Sequence, residues 1–251
     1  MGGSAIRAVT LDYWGTLLID PPGSDDRYTR QRLAGFAVIL ETAGRPTPLP
    51  ALQQAYEEGG RQIGRVWLTG KDLPVRQHVT TMLDAVDPGL SARLSSAMVE
   101  ALVQAYSSPA LTVPPAVDDG AKSALAALKD RNLTLCVVSN TMRTPGVVLR
   151  KILDRYGLLG FFEALTFSDE VGIRKPDPEI FSLTLRKIDV SPEEAVHVGD
   201  DWVLDVQGAK AAGMRAIHVT TSVTTAGPGR RGADAVIPSL RELPEALDRL
   251  T

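Results

Sequence analysis

The sequence predicts an α/β protein, a doubly wound parallel sheet with an α-helical bundle inserted after its first strand. Three observations predict it. From Pro114 onward, short apolar runs alternate with helix-patterned segments. One strand-like run, Ile6 to Leu11, stands alone ahead of that alternation. Between the two, from about Asp25 to Val113, the pattern is helical without a convincing strand. Strands covered by helices on both faces read as continuous apolar runs, as a buried parallel sheet requires.

Taken in order, Ile6 to Leu11 reads as a short buried strand. It delivers Asp12 to a turn at Gly15, with Thr16 four residues after the acid. Asp20-Pro21-Pro22-Gly23-Ser24 is a breaker cluster and reads as a linker. Leu33, Phe36, Ala37 and Leu40 then recur at helical spacing until Gly44 and Pro46. Leu49 to Ile63 is a second helix, and Val75 to Val86 a third, stopped by Pro88-Gly89. Leu90 to Tyr106 is a fourth, with Leu94, Met98, Ala101, Leu102 and Ala105 on one side. Such helices need a core of their own.

At Pro114-Pro115 the pattern changes. Asp118 or Asp119 can cap a helix through about Lys129. Leu133 to Val138 is a strand that ends in Ser139-Asn140, and Pro145 opens a helix stopped at Gly157. Phe162 to Phe167 reads as a weak strand and Pro178 to Ile188 as a helix. Ser191-Pro192-Glu193-Glu194 fits a capping box. Ala195 to Val198 is a strand ending at Gly199-Asp200-Asp201, followed by a helix from Val203 to Ala212. Arg215 to Val219 is a strand, Thr220 to Gly232 a loop, Ala235 to Ile237 a last strand and Leu240 to Leu250 a closing helix.

Composition excludes several function classes. The chain has 251 residues, 44% apolar and 23% charged, with a net charge of -3 and scattered basic residues. That is no nucleic-acid surface. The single cysteine, Cys136, sits in a strand, so no internal disulfide exists and a buried apolar role is expected. The N-terminal residues lack the apolar core of a signal peptide. No run approaches the roughly 18 to 20 apolar residues that span a bilayer. These features predict a cytoplasmic protein with no nucleic-acid or membrane partner; they do not choose between monomer and homodimer.

In parallel sheets ligands sit at the carboxyl ends of the strands. Three of those ends carry Asp12, Ser139-Asn140 and Asp200-Asp201. Asp12 is a potential nucleophile. Asp12, Asp200 and Asp205 offer hard oxygen ligands that suit Mg²⁺. Thr16 and Ser139 supply hydroxyls, Asn140 an amide, and Lys175 a positive charge on the stiff turn before Pro176-Asp177-Pro178. That charge would offset the anionic Asp12 and the charge developing on a transferring group. His197 and His218, amid Val and Ile, read as core or strand-end residues. Arg30, Arg65, Trp67, Arg76 and His78 read as ordinary residues of the helical insert.

The order of these clusters resembles the four motifs of the haloacid dehalogenase-like hydrolase superfamily. Asp12 to Thr16 resembles motif one, Ser139 motif two, Lys175 motif three, and Gly199-Asp200 with Asp205 motif four. Gly172 to Phe181 and Gly208 to Gly213 also fit, the former being like the subgroup with a helical cap after motif one. The resemblance implies a Rossmann-like core of residues 1–20 and 114–251 and a helical cap of residues 21–113. It implies that Asp12 attacks the substrate, that Thr16 and Ser139, with Asn140 beside them, bind phosphoryl oxygens, and that Lys175 orients the nucleophile and contacts the substrate. Asp12, the backbone carbonyl of Trp14, and Asp200 would contact Mg²⁺, with Asp205 as ligand or just behind.

One position departs from the family pattern. Phosphatases of the family usually carry a second Asp two residues after the nucleophile as acid and base, where this chain has Trp14. Three readings follow. The first is a Mg²⁺-dependent phosphatase or phosphotransferase acting on a small phosphorylated metabolite through an aspartyl-phosphate on Asp12. The second is a metal-independent 2-haloacid dehalogenase, since such members also have an aromatic residue there and a halide leaves without a proton. Their motif four, however, has Ser and Asn where this chain has Asp200 and Trp202. The third is a catalytically impaired binding or regulatory protein on the same fold. Opening of the cap about its two proline-rich linkers is a further expectation.

Overall fold

The computed structural model describes residues 5–220 and 232–250. Six parallel strands form the main sheet in the order β5-β4-β1-β6-β7-β8. They are β1 (Ala8–Leu11), β4 (Thr134–Ser139), β5 (Ala164–Phe167), β6 (Ala195–Gly199), β7 (Arg215–Val219) and β8 (Ala235–Ile237). β1 is central, with Leu11 opposite Val137 on one side and Val198 on the other. The chain leaves β1 toward β4 first and reaches β6 much later. The sheet order therefore reverses at β1, and a crevice opens beyond its carboxyl end.

β1 is buried throughout, and its two faces serve two cores. Val9 and Leu11 pack with Leu135, Val137, Leu149 and Leu243. Ala8 points the other way, toward Val138, Ile180 and Phe181. This is the period-two alternation of a strand, and each Val or Leu so buried contributes about 1.5–3 kcal/mol. The first face is covered by α7 (Ala121–Asp130), α8 (Gly146–Arg155) and α12 (Leu243–Asp248). The second is covered by α10 (Pro178–Ile188) and α11 (Gly208–Ala211). Cys136 is buried in β4, where desolvation pushes its thiol up to about 11.

Between β2 (Leu18–Ile19) and β3 (Ala116–Val117), a short antiparallel ribbon, lie the inserted helices. They are α1 (Ser24–Thr42), α2 (Leu49–Trp67), α3 (Val75–Val86), α4 (Leu90–Arg93), α5 (Ser96–Ser107) and α6 (Pro109–Thr112). Phe36, Leu40, Leu52, Val79, Met82, Leu83 and Leu102 form a core separate from those of the sheet. The helix expected from Leu90 to Tyr106 is broken at Leu94-Ser95, because the Ser95 hydroxyl accepts the Met98 N–H at 3.3 Å and starts α5 afresh. The helix expected over Val203 to Ala212 begins instead as a wide π-type turn, Trp202–Gln207, capped by Asp201. Of the loop expected from Thr220 to Gly232, residues 221–231 lie outside the described residues. No helix among the described residues is long and apolar enough to cross a membrane.

A buried ion pair joins insert and sheet. Asp72, in the loop after α2, accepts from Arg174 Nη1 at 2.6 Å and from Ser168 Oγ at 2.5 Å. Its other oxygen accepts from Trp67 Nε1 at 2.7 Å, and the Arg174 guanidinium lies 4.3 Å from the Trp67 ring centroid. The backbones pair as well, Asp72 N–H to Gly172 O and Arg174 N–H to Gly70 O.

Candidate active site

The chain ends β1 by donating the Asp12 N–H to Val198 O at 2.9 Å, which fixes Asp12 at the crevice. Three backbone bonds then close the following turn, Gly15 N–H to Leu18 O and both Leu17 N–H and Leu18 N–H to Tyr13 O. None of them uses the Trp14 carbonyl. Gly15 adopts φ 76°, and a Cβ there would strike the Asp200 carboxylate. Glycine is thus required twice, for the left-handed backbone and for the approach of Asp200.

Lys175 Nζ donates to Asp12 Oδ1 at 2.6 Å and to Asp205 Oδ1 at 2.5 Å. Asp205 Oδ1 also faces His197 Nε2 at 3.1 Å, and His197 Nδ1 lies 2.7 Å from Thr10 Oγ1. A carboxylate only accepts, so Nε2 carries the ring proton and Thr10 donates to Nδ1. Asp205 Oδ2 accepts the Asp201 N–H at 2.9 Å. A buried chain thus runs from Thr10 through His197, Asp205 and Lys175 to Asp12. The expectation of a core role for His197 holds, with the addition that it orients Asp205. His218, also buried, faces Asp200 O at 2.9 Å.

The charges follow from burial and partners. Burial raises Asp12 above the ordinary carboxylate range, Lys175 pulls the other way, and Asp205 adds to the rise. Burial pushes Asp205 upward too, but Lys175 and His197 outweigh it and hold it below that range. Burial works to lower Lys175, yet Asp12 and Asp205 together raise it. Burial lowers His197 against the pull of Asp205. Asp205 is therefore anionic, Lys175 cationic and His197 neutral near pH 7.

Asn140 donates Nδ2–H to Lys175 O at 3.0 Å and accepts the Lys175 N–H at 2.8 Å. Both ends of its amide thus hold the Lys175 backbone, a positioning contact. Thr16 is fully buried and its hydroxyl has no hydrogen-bond partner. Ser139 Oγ, also buried, makes only a long contact to Asn140 O at 3.5 Å. Two hydroxyls so placed can donate to an anionic ligand. Trp14 Nε1 is likewise buried without a partner, and its ring meets Tyr13 edge-on at 5.0 Å.

Carboxylate oxygens of Asp12, Asp200 and Asp205 lie within 4.8 Å of one another. This set of hard oxygens is of the kind that holds a cation such as Mg²⁺. Asp205 has both oxygens engaged, one by Lys175 and His197 and the other by the Asp201 N–H.

These groups open into a cavity of about 360 Å³, roofed by Tyr28 and Arg32 of α1 and flanked by Arg143. Sequence reasoning missed both arginines. The signal at Arg32 was its place on the buried stripe Tyr28, Arg32, Phe36, Leu40, each four residues from the next. Arg143 carries no such signal. His78 and Trp67, expected as ordinary helix residues, turn out to pack together at 6.1 Å beside this end of the insert, with His78 only 2% exposed.

The family profile of haloacid dehalogenase-like hydrolases matches residues 6–213. The chain belongs to the haloacid dehalogenase-like hydrolases. Haloacid dehalogenase-like hydrolase domain-containing protein 3 of Mus musculus is 35% identical, across 98% of this chain and 95% of that protein. Ribulose-1,5-bisphosphate 5-phosphatase of Halopiger xanaduensis is 30% identical, across 94% of this chain and 97% of that enzyme. Among solved structures, a 2-haloacid dehalogenase from Pseudomonas syringae superposes with a TM-score of 0.67 at 27% identity, covering 98% of this chain and 100% of that one. This member of the family is thus a hydrolase with phosphatases among its relatives.

Proposed function

We propose that this hydrolase is a Mg²⁺-dependent phosphatase or phosphotransferase acting on a small phosphorylated metabolite. The observation that carries the reading is the cluster of Asp12, Lys175, Asp200 and Asp205 at the point where the sheet order reverses. A carboxylate oxygen of Asp12 attacks phosphorus, the P–O ester bond breaks toward the leaving alkoxide, which takes its proton from solvent, and an aspartyl-phosphate remains. Water then attacks phosphorus, regenerating Asp12 and releasing phosphate. Thr16 and Ser139 hydroxyls donate to the phosphoryl oxygens, and Asn140 keeps Lys175 in line. Lys175 works against the burial that raises Asp12 and so favours its anionic form. Mg²⁺, held by Asp12, Asp200 and the Trp14 carbonyl with Asp205 behind, would supply the charge that lets carboxylate and phosphate approach. An indole has no titratable proton near neutral pH, so the alkoxide departs without a positioned acid, at a typical cost of about 10²- to 10⁴-fold.

In this reading residues 21–113 are the cap, and residues 1–20 and 114–251 the catalytic core. The separate apolar core of the inserted helices supports the division. We place the enzyme in the cytoplasm on its single buried cysteine, and cell fractionation checks this. A second reading, 2-haloacid dehalogenation by Asp12 without metal, is favoured by Trp14 and by the likeness to the Pseudomonas syringae enzyme.

The experiment is a paired assay of an aryl phosphate and a 2-haloacid, each with and without Mg²⁺. Phosphate release should need Mg²⁺ and fall by at least ~10³-fold in Asp12→Asn. Trp14→Asp should raise it by about 10-fold or more, by restoring a titratable group. Halide release without metal, and no phosphate release, would establish the second reading instead.

A further inference from the structure

Two guanidinium groups in the cavity, Arg32 and Arg143, make no ion pair among the described residues. Arg32 is 3% exposed. It donates from Nε to Tyr106 O at 2.8 Å and from Nη1 to the Tyr56 hydroxyl at 3.3 Å, both neutral acceptors. Arg143 reaches from the loop after β4 into the inserted helices and stacks 4.7 Å from the Tyr56 ring centroid. Tyr56 therefore touches both cations. α2 leaves room for the second one, because a Cβ on Gly60 would lie 2.7 Å from Arg143 Nη2.

The acids near them do not pair with them directly, although Arg32 attracts Asp20 from a distance. Asp20 and Asp25 stand at the exposed rim of the cavity, and Asp20 takes its hydrogen bond from the Tyr28 hydroxyl at 3.0 Å. Asp72, the buried acid of this region, is taken by Arg174. His78 reports the resulting field. Its burial lowers its pKa to about 4 against the pull of Asp72, and Arg143, Arg174 and Arg32 reinforce the drop.

Burying a charge without a counter-ion is costly. A guanidinium fork is shaped to take a carboxylate or a phosphate. Arg32 and Arg143 share one cavity with Asp12, yet neither is among the groups that hold Asp12 or Asp205. A phosphoryl group at Asp12 thus leaves them for the other end of the molecule. We propose that Arg32 and Arg143 bind a second oxyanion, so that the preferred substrate is a small phosphomonoester carrying a carboxylate or a second phosphate at its far end. This rests on the phosphatase reading. A cavity of about 360 Å³ confines it to small metabolites.

The test compares kcat/KM for phosphoglycolate, a propanediol bisphosphate and n-propyl phosphate, whose tail is neutral. The unsubstituted enzyme should favour at least one doubly anionic ester over propyl phosphate by about 10- to 100-fold. The favoured arm tells carboxylate from phosphate. In Arg143→Gln that preference should fall by about 10-fold or more, mainly through KM. Arg32→Lys, which keeps the charge but loses the fork, should erode it less than Arg32→Gln. Arg143 is less buried than Arg32, so its variant reports even where Arg32→Gln fails to fold. Equal kcat/KM for all three esters, or a preference that survives both glutamine variants in folded form, would overturn the proposal. Should no ester be hydrolysed, the phosphatase reading fails by itself. Calorimetry then decides the anion site: phosphoglycolate binding tighter than propyl phosphate, and weakened in Arg143→Gln, upholds it, and equal binding overturns it.

Discussion

His78 has neither ring nitrogen hydrogen-bonded, although it is 2% exposed and packs edge-on against Trp67 and Tyr106. Burial lowers its pKa from 6.5 to about 4. Between those values the unfolded chain holds the proton and the folded chain does not. Stability from this residue is therefore complete above pH 6.5 and lost as the pH falls toward 4. The loss between pH 7 and pH 4.5 should be on the order of 2 kcal/mol in urea unfolding. His78→Phe keeps the aromatic contacts and should flatten that part of the profile; an unchanged profile would assign the acid sensitivity elsewhere. His78 also marks what sequence shows at single residues. Asp12, Lys175, Asp200 and Asp205 were legible because their spacing ties an acid or a lysine to a strand end or a stiff turn. Arg32, Arg143 and Asp72 were not. A charged side chain in a helix or loop reads as solvated until the fold reveals what covers it.

At the scale of elements, the tie between the loop after α2 and the segment before Lys175 stands out. Arg174 and Asp72 side chains are 7% and 0% exposed, and two backbone bonds run beside their ion pair. Removing one partner of such a pair strands the other. Asp72→Ala should therefore cost about 3–5 kcal/mol in denaturant midpoint. Hydrogen exchange should quicken at residues 70–73 and 172–174. Replacing both partners by apolar residues of similar size should recover most of the stability. A loss below about 1 kcal/mol in Asp72→Ala would show that the tie is incidental to the seating of the inserted helices on the sheet. The sequence placed Asp72 only in the gap between the helices expected at Leu49 to Ile63 and Val75 to Val86. The longer strands and helices were legible from periodicity. The two-residue strands β2 and β3 were not, since so few residues have no period to detect. The π-type turn at Trp202–Gln207 was also hidden, because its pattern is that of an ordinary helix.

For the whole molecule, composition and pattern showed a sheet core and a helical insert but no strand order. The partners of β1 come from β4 and β6, far along the chain. No local signal encodes that choice, yet it is what brings Asp12 and Asp200 together. The fold thereby stores a cost. Three carboxylates present oxygens within 4.8 Å of one another, and Lys175 is shared by Asp12 and Asp205. A cation bound there relieves the repulsion only in the folded state, so folding and metal binding are linked. At 100 times its dissociation constant, Mg²⁺ should stabilise the protein by about 2.7 kcal/mol. For a chain of this size each kcal/mol moves Tm by about 2–4 °C, a rise of roughly 5–10 °C. Asp200→Asn removes a proposed ligand while keeping the side chain's shape, and it should lose most of that rise. Asp201→Asn, a capping residue outside the carboxylate cluster, should retain it. A Mg²⁺ shift as large in Asp200→Asn as in the unsubstituted protein would place the ion elsewhere and remove the metal from the proposed chemistry. No shift in either would leave Asp12 to act with Lys175 alone, the arrangement that suits a halide rather than a phosphate.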